Sequence, residues 1–350
     1  MPDTERDPRS GPRSAPVSTV AALGSHRAAW DALAGSQPVA SPFQRSWWLE
    51  GVAPEGTTYL LVLDGGRLVG GLALRERRTC GVPTYVAPGP AVLCPDHLDL
   101  MAEPGAEDAV VGAVGSWFSR PGQRILDLRG VVEGSLLARA VDAEAEPSDV
   151  APFQPLPDRA EDYLAGRSSN FRRSVRRSAR SLAAAGIEHR RLTGEDLPDG
   201  FAAFRSLHDG RDGRAPLLAE MAALERAVTD GVARGEARVD VLASDDEVAA
   251  VSIAFVTDGR LSLYQVARSL DSRHDGAGTV LIVRVIEDAL AAGCHEADLL
   301  RGGEGYKSSF TDATRSVGRL RAAHGTLARG VLAAEDAARR VSARLRSPAP

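Results

Sequence analysis

The stretch that decides the fold is YQVARSLDSRHDGAGTVLIVRVIEDALAAG, residues 264–293. Residues before Ser269 alternate from Leu261 and Leu263 onward, which predicts a strand. After Gly278, apolar residues recur with the spacing of one buried helical face: Ile282, Val285, Ile286, Ala289 and Leu290. Gly293 follows the last of them, where a helix-ending glycine is expected. The predicted order is therefore strand, glycine-containing turn and helix.

The turn between this strand and this helix suits an anion. The first turn of a helix has backbone N–H groups without an intrahelical partner, and the helix dipole adds partial positive charge. Glycines let a ligand approach the backbone closely, and Arg273 can supply further donors. These features predict a phosphate or pyrophosphate seat, built from Arg273 and from Gly276, Ala277, Gly278 and Thr279. A flexible loop that closes a helix is the alternative.

The glycine spacing narrows the choice of ligand. No Gly-Lys-Ser/Thr ending follows, which excludes a Walker P-loop, and the pattern is not G-x-G-x-x-G. It reads R-x-x-G-x-G from Arg273 to Gly278 and resembles the acyl-CoA pyrophosphate loop of the GNAT acetyltransferase superfamily. The resemblance implies acetyl-CoA or another acyl-CoA as co-substrate.

Composition excludes several classes of protein. The 350 residues are enough for two domains, and a composition of 43% hydrophobic and 25% charged residues is globular. A net charge of −5 argues against DNA binding. Three scattered cysteines predict neither disulfides nor a zinc site, and no apolar run could span a membrane. Residues 1–17 are predicted to be a disordered tail and not a signal peptide, so we expect a cytoplasmic protein.

Two similar patterns divide the chain. LVLDGGRLVGGLA and VLASDDEVAAVSI each predict a β-hairpin, and they align at a constant shift of 180 residues, 62 onto 242. This suggests two copies of one α/β unit with a mixed α+β sheet. The acidic, proline-rich segment 141–158 is the predicted boundary. The predicted parts are an N-terminal domain at 18–150, a C-terminal domain at 151–325 and a peripheral helix and tail at 326–350. Phe43, Trp47 and Trp48 are expected in the core.

A predicted helix at residues 170–182 is strongly basic. Its arginines have no acidic partner four residues later: Arg172, Arg173, Arg176, Arg177 and Arg180. A solvated face is one interpretation. The other is contact with an anionic partner, such as the phosphates of CoA, a nucleotide-sugar, an anionic lipid surface or tRNA.

A second candidate site is HEADLLRGGEGYKSSFTD, residues 295–312. Glycines surround the carboxylate of Glu304, the phenol of Tyr306 and the ammonium of Lys307 after a short predicted strand. Ligands bind at strand ends in α/β sheets, although a polar surface turn is the alternative. His208 and Arg211 end another predicted helix, where a lone histidine is more often structural than catalytic.

Taken in order, these motifs resemble GNAT proteins of the cellulose-biosynthesis CelD type, relatives of the Fem aminoacyltransferases. The motifs are N-x-R-R-x-x-R-R from Asn170, L-H-x-x-R at 207–211, R-x-x-G-x-G at 273–278 and D-L-L-R-G-x-E-x-Y-K at 298–307. The resemblance implies two tandem GNAT-like domains, direct acyl transfer from a thioester to an amine, and a site near the junction of the halves. It also places an aromatic-lysine pair, matched by Tyr306-Lys307, near the reacting acyl group.

The resemblance implies an acyl-CoA-dependent N-acyltransferase, with N-acetyltransferase as the first candidate, and no metal. Arg273 and the amides at 276–279 would hold the pyrophosphate, and Arg268 would lie beside the pantetheine. Glu304 would take the amine proton, with His208 as the alternative base. Tyr306 would protonate the thiolate, and Lys307 would stabilise the oxyanion. The expected substrate contacts are Arg173, Arg176, Arg211 and Arg301.

The acceptor is expected to be a small-molecule or sugar amine, with an amino sugar or polysaccharide precursor as candidates. Two other functions stay open. One is a Fem-like transferase that uses aminoacyl-tRNA, which the basic helix would suit. The other is a non-catalytic accessory protein of polysaccharide biosynthesis, which would bind CoA weakly or not at all.

Overall fold

A computed structural model describes residues 16–346, apart from the side chains at 160–161 and 340–346. Its strands are β1 (Val17–Val20), β2 (Thr57–Asp64), β3 (Arg67–Thr79), β4 (Val82–Val86), β5 (Met101–Ala102), β6 (Arg124–Val132), β7 (Ala145–Pro155), β8 (Glu188–Leu192), β9 (Ala237–Ala243), β10 (Val248–Thr257), β11 (Arg260–Arg268), β12 (Glu296–Asp298) and β13 (Ala313–His324). They form one mixed sheet, in the order β1-β2-β3-β4-β6-β13-β7-β12-β11-β10-β9-β8, with β5 beside β3. The predicted mixed α/β class is confirmed.

The helices pack against this sheet. They are α1 (Arg27–Gly35), α2 (Ser46–Val52), α3 (Glu107–Phe118), α4 (Leu136–Ala140), α5 (Ala160–Ala165), α6 (Ser169–Ala184), α7 (Leu197–His208), α8 (Ala215–Ala219), α9 (Met221–Ala233), α10 (Ala277–Ala291) and α11 (Thr326–Arg346). Among the described helices, none combines the length and the apolar character needed to cross a bilayer. The predicted tail lies outside the described residues up to residue 15, whereas Val17 begins β1, which pairs with β2.

The two halves of the sheet have the same arrangement. Each has a hairpin, a third strand, a helix and a strand parallel to the third: β2-β3-β4-α3-β6 in the first half and β9-β10-β11-α10-β12 in the second. The parallel pairs are β4–β6 and β11–β12. Both hairpins predicted at the 180-residue shift are present, so the internal repeat in pattern corresponds to a repeat in structure.

Each half is completed by a strand from the other part of the chain. The strand after β6, β7, pairs antiparallel with β12, whereas the strand after β12, β13, pairs antiparallel with β6. The two exchanged strands pair with each other at the centre of the sheet. The predicted boundary at residue 150 falls inside β7, next to the fully buried Ala151. The halves are therefore joined by paired strands and not by a linker.

An aromatic cluster joins helices of the two halves. Phe43, Trp47 and Trp48 are buried, as predicted, and they contact Phe255 of β10 edge-on or tilted. Helix α2 packs directly on α9, and a Cβ added at Gly51 would lie 2.4 Å from the Cα atom of Ala227. Such close contact requires glycine at this position, and the cluster belongs to one core that includes residues of both halves.

Candidate active site

A cavity of about 270 Å³ lies where β11 and β12 stop pairing. The two strands pair only from Arg260 to Ser262 of β11, so a gap opens beyond them. Residues 263–266 line one side of this gap and residues 299–301 line the other, with Ile282 of α10 between. The loop at 92–96, which belongs to the first half, contributes Val92, Cys94 and Asp96. Both halves therefore form the cavity.

The turn singled out in the sequence lines this cavity, through Arg301, Glu304, Tyr306 and Lys307. The turn begins with Leu300 in a left-handed conformation, φ +56°. A leucine stays in this conformation only where its surroundings hold it. Its N–H donates to Asp298 Oδ1 at 2.7 Å, and its carbonyl accepts from Lys307 Nζ at 3.1 Å. Asp298 and Lys307 thus fix the backbone from which the polar side chains project.

Lys307 is engaged inside the protein. Its ammonium also donates to the Arg301 carbonyl at 2.9 Å and lies 2.9 Å from Glu304 Oε2, so these three partners match its three donors. Partial burial by itself would raise the pKa of Glu304, but the hydrogen bond and charge of Lys307 outweigh it and lower that pKa. Glu304 is therefore ionised at neutral pH and is a weak base.

Tyr306 is a solvent-exposed phenol in the wall of the cavity. Its side chain is 53% exposed and rests edge-on against Phe310, with ring centroids 6.2 Å apart. Desolvation, and then the negative charge of Glu304, raise the pKa of its phenol. Tyr306 therefore keeps its proton across the neutral range and can donate it to a group in the cavity.

The first turn of α10 has the predicted glycine geometry. Gly276 has φ +84°, and a Cβ there would lie 2.3 Å from Ser178 Oγ of α6, so both the conformation and the packing require glycine. A Cβ at Gly278 would lie 3.3 Å from Arg268 Cδ. Helix α10 has no acidic residue in its first turn, whereas its counterpart α3 has Glu107 and Asp108 there. Of these two helices, only α10 presents a first turn suited to an anion.

Arg273 is engaged elsewhere. Its Nε donates to Asp271 Oδ2 at 3.0 Å, and a terminal nitrogen lies 3.2 Å from Glu247 Oε2 in the β9–β10 turn. These carboxylates hold the guanidinium that the sequence placed on a pyrophosphate. The motif at 273–278 shows neither partner, because Glu247 is distant in sequence and Asp271 lies two residues before it.

Three other arginines gather beside α10 and the cavity. Arg211 donates to the carbonyl of Arg268, and Arg214 lines the cavity. The pKa of Arg211 is lowered, mainly by burial and then by the nearby positive charges of Arg268 and Arg214. The three guanidinium groups therefore lie close together. The sequence analysis missed Arg214, although its spacing from Arg211 in HDGRDGR was visible.

His208 lies off the cavity. Its ring is 1% exposed and packs edge-on against Phe204, with centroids 4.6 Å apart. Burial, and then the charges of Arg214 and Arg211, lower its pKa to about 4. His208 is therefore neutral at physiological pH, and it is not among the residues that line the cavity.

The basic helix α6 begins and ends close to its predicted limits. Ser168 caps it by accepting from the Phe171 N–H at 3.3 Å. Arg172 donates to the carbonyl of Arg167 at 2.8 Å, whereas Arg173 and Arg176 are exposed and take part in none of the ion pairs among described side chains. They do not line the cavity. Through Ser178, however, the same helix contacts the first turn of α10.

Asp96 is a cavity carboxylate that the sequence analysis missed. Burial raises its pKa, while Arg301 opposes the rise through its charge and backbone N–H. Its Oδ1 lies 2.8 Å from Arg301 Nε, and its Oδ2 accepts from the Arg301 N–H at 2.7 Å. Arg301, predicted to contact substrate, is thus held by a residue of the first half. No local motif marked Asp96, since its partner lies 205 residues away.

Residues 169–308, from the start of α6 to the turn with Lys307, match the family model of the acetyltransferase (GNAT) domain. This segment of the second half is therefore similar to a GNAT domain. No curated protein matches the sequence.

Solved structures share the fold across both halves. FemX is similar with a TM-score of 0.62 and 11% identity, covering 84% of this chain and 95% of FemX. The C-terminal domain of a putative lysylphosphatidylglycerol synthetase from Agrobacterium fabrum is similar with a TM-score of 0.56 and 13% identity. The match covers 91% of this chain and 97% of that domain. L-PGS from Bacillus licheniformis is similar with a TM-score of 0.52 and 10% identity, and the match covers 81% of this chain and 89% of L-PGS. At these identities the likeness concerns the fold alone.

A buried ion-pair network ties the second half of the chain to the first half. His97 Nε2 and Asp298 Oδ2 are 2.9 Å apart, and both side chains are at most 1% exposed. Arg315 of β13 also lies 2.9 Å from Asp298 Oδ2 and pairs with Glu296. Arg260 continues the network, with Nε 2.6 Å from Glu296 Oε1. The carboxylate that holds the cavity turn, Asp298, is therefore also the junction between the halves.

One cluster in the second half of the chain has the composition of a metal site. His189, Asp240 and Asp288 bring potential ligand atoms within 4.8 Å of one another. Two arginines share these carboxylates: Arg238 Nε lies 2.6 Å from Asp240 Oδ2, and Arg191 lies 3.2 Å from Asp288 Oδ2. The cluster has the charge balance of an ion-pair network that links β8, β9 and α10.

Proposed function

We propose that this protein transfers an acyl group from acyl-CoA to an amine in the cavity between β11 and β12. The observation that carries the proposal is the position of this cavity. It opens where two parallel strands separate, beside a helix with a first turn suited to phosphate, and a proton-donating phenol lies in its wall. A thioester needs this combination: a slot for the acyl chain, a seat for phosphate and a donor for the leaving sulfur.

The donor would bind along α10. Amides of Ala277, Gly278 and Thr279 would accept the pyrophosphate, and Arg268 lies directly over Gly278. The neighbouring Arg211 and Arg214 add positive charge at the cavity entrance. Arg273 could contact the pyrophosphate only after its ion pairs with Asp271 and Glu247 break. Its role would therefore be to stabilise the loop before α10 rather than to bind phosphate directly.

The reaction forms a C–N bond and breaks a C–S bond. The amine attacks the thioester carbonyl, the tetrahedral intermediate collapses, and Tyr306 gives its proton to the departing thiolate. The amine proton leaves through Glu304 or water. Because the pKa of Glu304 is lowered, the acceptor would have to arrive largely as the free amine. Lys307 would act by holding the turn, and His208 remains the alternative base.

The acyl chain and the acceptor are further parts of the proposal. Acetyl transfer is the simplest case, since the cavity holds only about 270 Å³. The CelD-type resemblance points to an amino sugar or polysaccharide precursor as acceptor. A non-catalytic accessory role would be favoured instead if the purified protein retained no CoA and transferred no acyl group.

Gly278→Val should weaken CoA binding at least tenfold, about 1.4 kcal/mol. The added side chain would fill the space between Arg268 and the helix backbone, where phosphate must reach the amides. Cys94 lines the cavity and can report occupancy by its alkylation rate. With CoA at about ten times its Kd, one-tenth of the sites are free and alkylation slows about tenfold. In the variant, the same CoA concentration should slow it only about twofold.

Two controls belong to this measurement. Cys80, exposed in the turn between β3 and β4, should react at one rate with or without CoA. Gly112→Val makes the same change in α3, where an added Cβ meets no atom within 4 Å, and should keep the tenfold protection. Equal protection of Cys94 in wild type and Gly278→Val would contradict the proposed donor seat.

A second candidate donor is aminoacyl-tRNA. Helix α6 favours it, because its exposed Arg173 and Arg176 form a basic face, on the side of the helix away from Ser178 and Gly276, that a polyanion larger than CoA would reach. FemX and the lysylphosphatidylglycerol synthetase domain supply only the likeness of fold. Free CoA should compete with acyl-CoA for the site and should leave transfer from aminoacyl-tRNA unchanged.

The double variant Arg173→Gln, Arg176→Gln should raise the KM of the true donor and flatten its dependence on salt. Phosphate contacts weaken with ionic strength, whereas an idle solvated face is indifferent to it. Measuring KM for acyl-CoA and for aminoacyl-tRNA shows which donor α6 contacts. Arg329→Gln, an exposed arginine on α11, serves as the matched control. Unchanged kinetics with both donors would make α6 a solvated face.

A further inference from the structure

A second, larger pocket lies in the first half of the sheet, at the position equivalent to the acyl cavity. Strands β4 and β6 pair only at Thr84–Ile125 and Tyr85–Leu126, and beyond these residues they separate as β11 and β12 do. The pocket of about 670 Å³ occupies this gap, with the loop after β4 as one wall. Its volume lies within the range of small-molecule sites.

The lining of this pocket is strongly positive. Among the described residues that line it, five are arginines and one is a carboxylate: Arg75, Arg77, Arg129, Arg301, Arg319 and Asp127. Arg319 uses Asp127 in a bidentate pair with both distances 2.7 Å, and Arg77 lies 3.7 Å from the same carboxylate. Arg75 and Arg129 take part in none of the ion pairs among described side chains. The pocket therefore has more cations than its own carboxylate can neutralise.

The arrangement of these arginines is unfavourable without a ligand. Arg129 of β6 stands directly opposite Arg319 of β13 in the strand register, and like charges directly opposite destabilise a sheet. Partial burial, and then the charge of Arg319, lower the pKa of Arg129. Neighbouring Leu126 and Leu128 face the core on the other side of β6, so the charged face is the open one. An anion bound between these strands would remove the repulsion.

The arginine pocket adjoins the acyl cavity. Cys94 and Arg301 line both, and the loop at 92–96 separates them. Arg301 is fixed at this border, because its side chain donates to the Pro95 carbonyl at 3.0 Å and its Nε lies 2.8 Å from Asp96. A molecule held by its anionic end in the arginine pocket would present its other end to the cavity.

Resting on the proposed function, we propose that the acceptor is an amine that carries a phosphate or pyrophosphate group, and that the arginine pocket binds this group. A carboxylate would neutralise one of the surplus charges, whereas a phosphate or pyrophosphate can neutralise two or more and accept from several guanidinium groups. The pocket lacks aromatic side chains among its described lining residues, so recognition is by charge and not by base stacking. The equivalent helix α3 begins with Glu107 and Asp108, so the arginines, and not a helix terminus, hold the group.

The test titrates inorganic pyrophosphate into the protein with CoA present at saturation, so that the donor seat is filled. Arg75→Gln, Arg129→Gln should weaken pyrophosphate binding at least tenfold and leave CoA affinity unchanged. The double variant Arg211→Gln, Arg268→Gln, at the donor seat, should weaken CoA binding and leave pyrophosphate binding unchanged. Pyrophosphate should also raise the melting temperature of wild type but not of the pocket variant. Since Arg75 and Arg129 are exposed and outside the described ion pairs, the variant should fold normally.

The outcomes separate the two proposals. Pyrophosphate that fails to bind, or that binds equally to the pocket variant, would overturn this inference. A second CoA per chain that is lost in the pocket variant would overturn it too, because the pocket would then be a donor site. If CoA fails to bind wild type, the proposed function is overturned. The comparison of pyrophosphate binding between wild type and the pocket variant would still test the arginine pocket. Flotation with phosphatidic-acid vesicles, lost in the pocket variant, would assign the phosphate to a lipid headgroup; pyrophosphate binding without flotation would assign it to a soluble acceptor.

Discussion

Replacing Asp298 with asparagine should lower the free energy of unfolding by about 3–5 kcal/mol, the range for removing one partner of a buried ion pair. The carboxylate is fully buried and meets His97, Arg315 and the N–H of Leu300. The amide keeps the shape but leaves the buried His97 and the partly buried Arg315 without the charge they face. Because these partners come from the first half and from β13, the loss should appear as a lower urea midpoint of the whole protein.

The pKa of Asp298 predicts how the stability loss in Asp298→Asn depends on pH. Burial by itself raises the pKa of Asp298, but His97, the Leu300 N–H and Arg315 together lower it below its usual value. A lowered pKa in the folded state contributes stability above the unfolded pKa of about 3.9, and this contribution is lost as the pH falls through the folded pKa. The difference between wild type and Asp298→Asn should therefore be constant from pH 7 to 5 and shrink below about pH 4.

A control isolates the buried position. Asp245→Asn makes the same change at an exposed residue of the β9–β10 turn and should leave the urea midpoint unchanged at every pH. A loss below about 1 kcal/mol in Asp298→Asn would mean that the network contributes as little as a surface pair. The two halves would then be joined by the paired strands and the aromatic cluster alone.

Local patterns were enough to predict the elements that carry the site. The alternation before Ser269, the apolar face of α10 and the glycines at 276 and 278 all depend on near neighbours, and each has its structural counterpart. The hairpins at a 180-residue shift were found for the same reason. The turn with Glu304, Tyr306 and Lys307 could be recognised because a short strand followed by glycines is itself a local signal.

Contacts between distant parts of the chain could not be predicted in this way. Nothing in the composition of β7 or β13 marks their exchange, because pairing partners are decided by the whole sheet. Asp96 acquires a role only from Arg301, 205 residues away. Apart from Arg301, the arginine pocket draws its cations from β3, β6 and β13, and no local pattern in these strands marks them as a site. Arg273, inside the best motif, has a partner in Glu247 of another hairpin, which its neighbours in sequence do not reveal.

The same contacts change the roles assigned within the cavity turn. Lys307 was expected to meet the thioester oxyanion, yet its three donors already face two carbonyls and Glu304. Glu304 was expected to take the amine proton, yet its pKa is lowered, which makes it a weak base. Tyr306 is half-exposed, protonated and directed at the cavity, so it is the member of the turn with a free proton to give.

Tyr306→Phe should therefore lower turnover by about 10²-fold, the lower end of the range for loss of a general acid. The ring and its contact with Phe310 remain, so the CoA protection of Cys94 should be unchanged. Tyr85→Phe removes a half-buried phenol from the first half and should be neutral. Because the pKa of Tyr306 is raised, wild-type turnover should not fall between pH 7 and 9, since the acid form persists there. Near-normal turnover in Tyr306→Phe would mean that the leaving thiolate takes its proton from another group or from water, and would remove Tyr306 from the mechanism.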